Sequence, residues 1–173
     1  MTRTLASRSL ELLGPIEGRV AVLGARPRRL ASALGACVPL AGPGETASAA
    51  VITFLGASAV PAERQAVLAS LGGQLDGGAP VVLVDHNQPR SWWRRALGVA
   101  TLALRGLAPA RARYPAAREL AALGLEVERL RLARGERVQL VAARWRPRTC
   151  VDGVELVVPP GEQVEGAERG RWR

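Results

Sequence analysis

The chain has 173 residues, with 24 basic and 15 acidic side chains and a formal net charge of +9. That is one domain's length, and an apolar share of 48% excludes a disordered chain. No uncharged stretch reaches the roughly 20 apolar residues that span a bilayer, so no membrane partner is expected.

The charge has two readings. All the strong bases are arginine, with no lysine in the chain. They form either an electrostatic footprint for a polyanion or the ordinary arginine usage of a GC-rich genome. The N-terminal segment has Glu11 inside its apolar part and does not read as a secretory signal. Cys37 and Cys150 lie far apart and read as two free thiols in a reducing cytosol, so a cytoplasmic location is expected. One histidine and two cysteines without ligand spacing argue against a metal site.

In chain order, residues 4–13 place Leu5, Leu12 and Leu13 on one helical side, and Gly14-Pro15 stops them. Residues 19–24 (RVAVLG) form a short apolar strand ending in glycine. Pro27 opens a helix with Leu30, Ala31 and Leu34 inward, which Gly35 closes. Residues 36–41 (ACVPLA) are expected as a weak edge strand, because proline cannot donate to a ladder. A loop over 42–48 leads to 50–55 (AVITFL), a β-branched strand of central type. Pro61 opens a helix with Val67, Leu68, Leu71 and Leu75 on one face, ended by Gly72-Gly73 or Gly77-Gly78. Residues 80–84 (PVVLV) form another buried strand, closing on Asp85-His86-Asn87. From Ser91 to Leu104 a helix carries Trp93, Ala96, Leu97, Ala100 and Leu104 on one stripe. Pro115 opens a short helix that stops at Gly124. Residues 125–132 alternate apolar and charged, 133–136 turn, and 138–145 return as the second arm of a hairpin. Residues 151–158 either add a strand or lie along the surface, and 161–173 are expected to be mobile. The pattern predicts an α/β domain over 1–146 with an extension over 147–173. Its sheet is open and mostly parallel, with helices on both faces and a C-terminal antiparallel hairpin.

The stretch from about Arg19 to Trp145 resembles the class I S-adenosylmethionine-dependent methyltransferases, best in its second half, in AVITFL, LASLGGQLDGGAPVVLVDH and RYPAARELAALGLEVERLRLARGERVQLVAARW. These segments are similar to that family's fourth and fifth strands, last helix and antiparallel sixth and seventh strands. The resemblance implies a Rossmann-like fold, S-adenosylmethionine as cofactor, and methyl transfer to a small molecule.

The first half departs from the family. Its cofactor loop is glycine-rich, whereas this chain has Gly24-Ala25-Arg26-Pro27, which reads either as a reduced cofactor loop or as a strand-to-helix turn. The resemblance also asks for an acid after the second strand to hold the ribose, and none occurs before Glu45, which reads equally as a solvated loop acid. Only about 25 residues separate Gly24 from AVITFL, half of what two βα units need, so one strand and its helix are expected to be missing.

Ligands of open α/β sheets gather outside the carboxyl ends of the strands. That rule, with the resemblance, nominates Gly24, Ala25, Glu45, Leu55 and Gly56 for cofactor. Asp85 and His86 form a polar pair at a strand's end that can deprotonate an acceptor, or Asp85 simply caps a turn or pairs with an arginine. Seven arginines lie between Arg90 and Arg118, among two tryptophans and a tyrosine. The resemblance makes this region a substrate wall, with Trp92, Arg111, Arg113 and Tyr114 as its contacts. The same composition suits unstacked RNA, and the simplest alternative is a wet helix face over a core tryptophan. Two functions therefore stand: a small-molecule methyltransferase, or an inactive methyltransferase-like module that binds RNA or assembles. The edge left by the missing strand is open to pairing, so a homodimer is conceivable.

Overall fold

The computed structural model describes residues 2–24, 28–55, 61–87, 89–104, 116–145, 149–151 and 154–156. Three apolar strands, β1 (Val20–Gly24), β2 (Ala49–Thr53) and β3 (Pro80–His86), run parallel side by side. A hairpin of β4 (Leu125–Ala133) and β5 (Val138–Trp145) completes one five-stranded sheet in the order β1-β2-β3-β5-β4. Strand β5 runs antiparallel to both of its neighbours. The sheet is thus open and mostly parallel, with a terminal hairpin.

Strand periodicity divides the core into two layers, since alternate side chains leave opposite faces. On one face Val20, Val51, Val82, Val84 and Leu140 meet helices α1 (Thr2–Leu13) and α2 (Arg28–Gly35) through Leu5, Leu13, Leu30 and Leu34. On the other, Ile52, Phe54, Val81, Leu83 and Val141 meet α3 (Pro61–Ala69), the single 3₁₀ turn that follows it, and α5 (Ala116–Ala122). Leu68, Leu71 and Leu120 fill that layer. Burying each such side chain contributes about 1.5–3 kcal/mol. Glycine closes α5 as its spacing predicts, with Gly124 at φ +85°.

Four elements differ from the sequence reading. The edge strand expected over 36–41 is reduced to one parallel bridge, Val20 to Leu40. Val20 donates to the carbonyl of Pro39 and Ala41 donates to that of Val20. Pro39 has no N–H with which to extend the ladder. Strand β3 runs on through His86, so Asp85 and His86 lie in the ladder opposite Gln139 and Val138 rather than in a turn. In the hairpin the register slips between Val127 and Arg129, a bulge that returns Leu130 and Leu132 to the face of Leu125 and Val127. The fourth difference is α4 (Trp92–Ala103), discussed below, whose apolar stripe does not enter the core.

Strands β6 (Thr149–Val151) and β7 (Val154–Leu156) pair only with each other. Most of the expected extension, including all of 161–173, lies outside the described residues. Among the described residues no helix is long and apolar enough to cross a membrane.

One contact fixes how β1 joins β2. Gly24 sits at φ +117°, and a Cβ there would lie 2.0 Å from the carbonyl oxygen of Thr53. Neither that conformation nor that space admits a side chain. Gly44, at φ +78°, has open space around it. Gly24→Ala should therefore cost about 3 kcal/mol and lower the melting temperature by roughly 10 °C. Gly44→Ala should cost only the left-handed penalty of about 1 kcal/mol. Thermal unfolding followed by circular dichroism compares the two, and equal losses would contradict the close approach at Gly24.

Candidate functional site

Strand register brings Gly24, Thr53, Val84 and Leu140 into one row across the sheet. Beyond this row lies the carboxyl edge of the parallel strands, where Leu55 follows β2 and Asn87 follows β3. Of the residues nominated for cofactor, the structure brings Gly24 and Leu55 together here. Leu55 is half-buried against the α1–α2 layer, and its N–H donates to Thr53 Oγ1 at 3.3 Å. Ala25 and Gly56, the next residue after each, lie outside the described residues.

Glu45 is corrected. Its carboxylate accepts the Gly42 N–H at 2.8 Å and pairs with Arg19, which precedes β1. Ser48 of the same loop donates to the Arg19 carbonyl. Glu45 thus ties the loop at the amino edge of the sheet, roughly 15 Å along β1 from Gly24 at a rise of about 3.3 Å per residue. The Gly42 N–H and then Arg19 hold this exposed carboxyl below the usual range. It closes a loop and does not reach a ribose bound at the other edge.

Asp85 and His86 are likewise parted. As neighbours in β3 their side chains leave opposite faces: Asp85 follows Leu83 into the α3–α5 layer, and His86 follows Val84 toward the α1–α2 side. Their direct link is the His86 backbone N–H, which donates to Asp85 Oδ1 at 2.7 Å. The His86 carbonyl accepts Gln139 Nε2 at 2.9 Å.

Asp85 belongs instead to a buried ion cluster. Arg64 on α3 donates from Nη1 to Asp85 Oδ2 at 2.9 Å. It also grips Glu119 of α5 with two parallel bonds, Nε to Oε1 at 3.2 Å and Nη2 to Oε2 at 2.7 Å. The guanidinium lies 4.0 Å above the Phe54 ring. All three charged side chains are nearly or fully buried. One cation facing two carboxylates leaves an excess negative charge. Burial pushes the Asp85 carboxyl up, against the pull of Arg64 and of the His86 N–H, and Glu119 adds to the upward push. Asp85 is thereby a structural partner of an arginine, one of its plainer sequence readings, and not the cap of a turn.

A second wall comes from the β4–β5 turn. Arg134, Gly135 and Glu136 have φ of 54°, 59° and 69° in succession. This unusual run carries the Glu136 carbonyl to Asn87 Nδ2 at 2.8 Å and its carboxylate to the Arg90 N–H at 2.9 Å. The turn therefore positions the chain between β3 and α4. Trp92 stands 79% exposed on the first turn of α4. Arg111, Arg113 and Tyr114 lie outside the described residues.

Sequence reasoning missed Arg64, Glu119 and Glu136. Arg64 was within reach, because it continues the Val67, Leu68, Leu71 and Leu75 stripe one turn back and so had to face inward. Glu119 directly precedes the buried Leu120. Nothing local marks Glu136.

The sign of Asp85's linkage gives a test. A carboxyl raised on folding holds its proton more firmly in the folded state, so its contribution is fully present below the ordinary value of 3.8. It is lost as pH rises through the raised value. The stability of the native protein relative to Asp85→Asn should therefore fall as pH rises above about 4, measured by urea unfolding at a series of pH values. A difference that grows with pH would show instead that Arg64 dominates. Arg64→Met, which strands two buried carboxylates, should cost about 3–5 kcal/mol in the same experiment near neutral pH.

No family model matches this chain, and no curated protein matches it. Solved structures do. The pyocyanin biosynthetic protein PhzM superposes with a TM-score of 0.58 at 14% identity, over 82% of this chain and 54% of that one. The glycopeptide N-methyltransferase MtfA gives 0.54 at 16%, over 85% and 91%. Human N-acetylserotonin methyltransferase, solved with SAM, gives 0.55 at 10%, over 84% and 52%. The chain thus spans about half the length of PhzM and of the human enzyme. At these identities the likeness is one of fold, an open and mostly parallel Rossmann-like α/β sheet.

Proposed function

We propose that the chain is an S-adenosylmethionine-dependent methyltransferase acting on a small molecule. The observation that carries this reading is the strand order β1-β2-β3-β5-β4 with β5 reversed. It leaves a carboxyl edge at Gly24 and Leu55 where an open α/β sheet takes its ligand. Gly24 and Leu55, with Ala25 and Gly56 next to them in sequence, would hold the methionyl and adenosyl parts. When bound, the cofactor supplies a methyl group on a sulfonium, which an in-line displacement moves to the acceptor.

The protein's share is mostly positioning. The Arg64 cluster fixes β3 against α3 and α5, and the Glu136 turn fixes the chain that leaves β3. With Asp85 committed to Arg64, the base is assigned to His86 alone, at the carboxyl end of β3. Trp92 is assigned to the acceptor side, together with Arg111, Arg113 and Tyr114.

A specific observation favours a second reading, an inactive methyltransferase-like binding module. Among the described residues the sheet beyond β1 is a single bridge at Leu40, and the one acid nominated for the ribose ties the opposite edge. Calorimetric titration with S-adenosylmethionine and S-adenosylhomocysteine separates the two. The methyltransferase reading expects dissociation constants of roughly 1–100 μM, weakened at least about ten-fold by Gly56→Arg with the melting temperature held. Millimolar binding that ignores the substitution would sink it and leave the binding module. Gly24 is unsuited as the control, because any side chain there disrupts the β1–β2 contact.

A further inference from the structure

We propose that α4 is an interfacial helix that docks the protein on an anionic lipid surface. The helix reads WWRRALGVATLA. Trp93, Leu97, Ala100 and Leu104 recur at helical spacing and form one stripe, the pattern of a helix that buries a face. Here that face meets water: Trp93 is 48% exposed, Leu97 51% and Leu104 89%. Among the described residues no side chain of α4 joins either layer of the core. A contiguous apolar face of this kind marks a docking surface.

The charge beside it selects the occupant. Arg90, Arg94 and Arg95 are exposed around the start of the helix, and Arg94 lies over the Trp93 ring at 5.0 Å. The carboxylate that reaches this segment, Glu136, is engaged by the Arg90 backbone N–H.

A partner must therefore offer apolar depth together with negative charge. A second copy fails on the charge, since a two-fold interface would set arginine against arginine. RNA satisfies the arginines and gives Leu97 and Leu104 nothing to enter. An anionic bilayer satisfies both. Leucines enter the acyl boundary, tryptophans sit at the headgroups, and arginines reach the phosphates. At 12 residues, about 18 Å, the helix lies in the interface and does not cross it. The Glu136 and Asn87 bonds fix the segment entering α4 to the sheet, so docking would bring the carboxyl edge of the sheet toward the lipid.

The test is co-sedimentation of the full chain with phosphatidylcholine vesicles, with and without phosphatidylglycerol. Binding should require phosphatidylglycerol and weaken as salt rises. Leu97→Glu should weaken it roughly ten-fold or more, and Arg94→Gln about five-fold. Both kinds of position are exposed, so melting temperatures should hold and exclude misfolding as the cause. Equal binding to both vesicle types, or phosphatidylglycerol binding untouched by Leu97→Glu, would overturn the proposal. It also falls if light scattering finds a dimer that Leu97→Glu dissociates while vesicles leave the protein in the supernatant. The same holds if an RNA oligonucleotide binds with a steep salt slope and vesicles do not bind. None of these outcomes depends on whether S-adenosylmethionine is bound.

Discussion

The guanidinium of Arg64 joins three elements that the chain delivers from distant positions: α3, the end of β3 through Asp85, and α5 through Glu119. It rests on Phe54, just past the end of β2, so four segments meet at one planar group. Arginine suits this role because its fork satisfies two carboxylates at once and its face can stack. Burying these charges is itself costly, and a well-packed apolar cluster would serve stability as well. What the cluster adds is register. A leucine can slide along an apolar layer, whereas three charge-assisted hydrogen bonds and a stacked ring have few alternative arrangements. Asp85 is engaged in this way, and its side chain and that of His86 leave β3 on opposite faces.

A second constraint acts at the opposite side of the sheet. Gly24 brings β1 against the Thr53 carbonyl so closely that the glycine is accounted for by strand packing alone. That removes the strongest local argument for a cofactor loop, since the residue would be glycine in either case. Pro39 then stops the chain from building a ladder on the far side of β1, and Glu45 with Arg19 staples the returning loop at the amino edge. The sheet therefore begins, in effect, at its first strand. Of the strand expected over 36–41, a single bridge at Leu40 remains among the described residues.

The parts of the fold legible in the sequence are those that one period describes. Apolar runs gave β2 and β3, leucine spacing gave α1 and α3, and the hairpin followed from alternation. Even the bulge in β4 is written there, because the alternation changes phase between Val127 and Leu130. What was not legible depends on three dimensions. Asp85 and His86 are adjacent in sequence and therefore on opposite faces, a consequence visible only once β3 is known to run through them. Glu45 follows the right strand segment but at the wrong end of it, since the loop folds back past the start of β1. Arg64 and Glu119 are 55 positions apart, and no local pattern links them.

Helix α4 shows the same limit from the other direction. Its stripe has the spacing of a core helix, and spacing says only that one face is apolar, not what lies against it. The sheet's two faces are already taken, by α1 and α2 on one and by α3 and α5 on the other. A further amphipathic helix has no third layer to enter. The Glu136 turn settles its position by holding the segment that leads into it through a backbone run that only fixed contacts would sustain. The apolar face therefore stays outside the core because the layers are complete, and the arginines that share the helix then determine which surroundings can cover it.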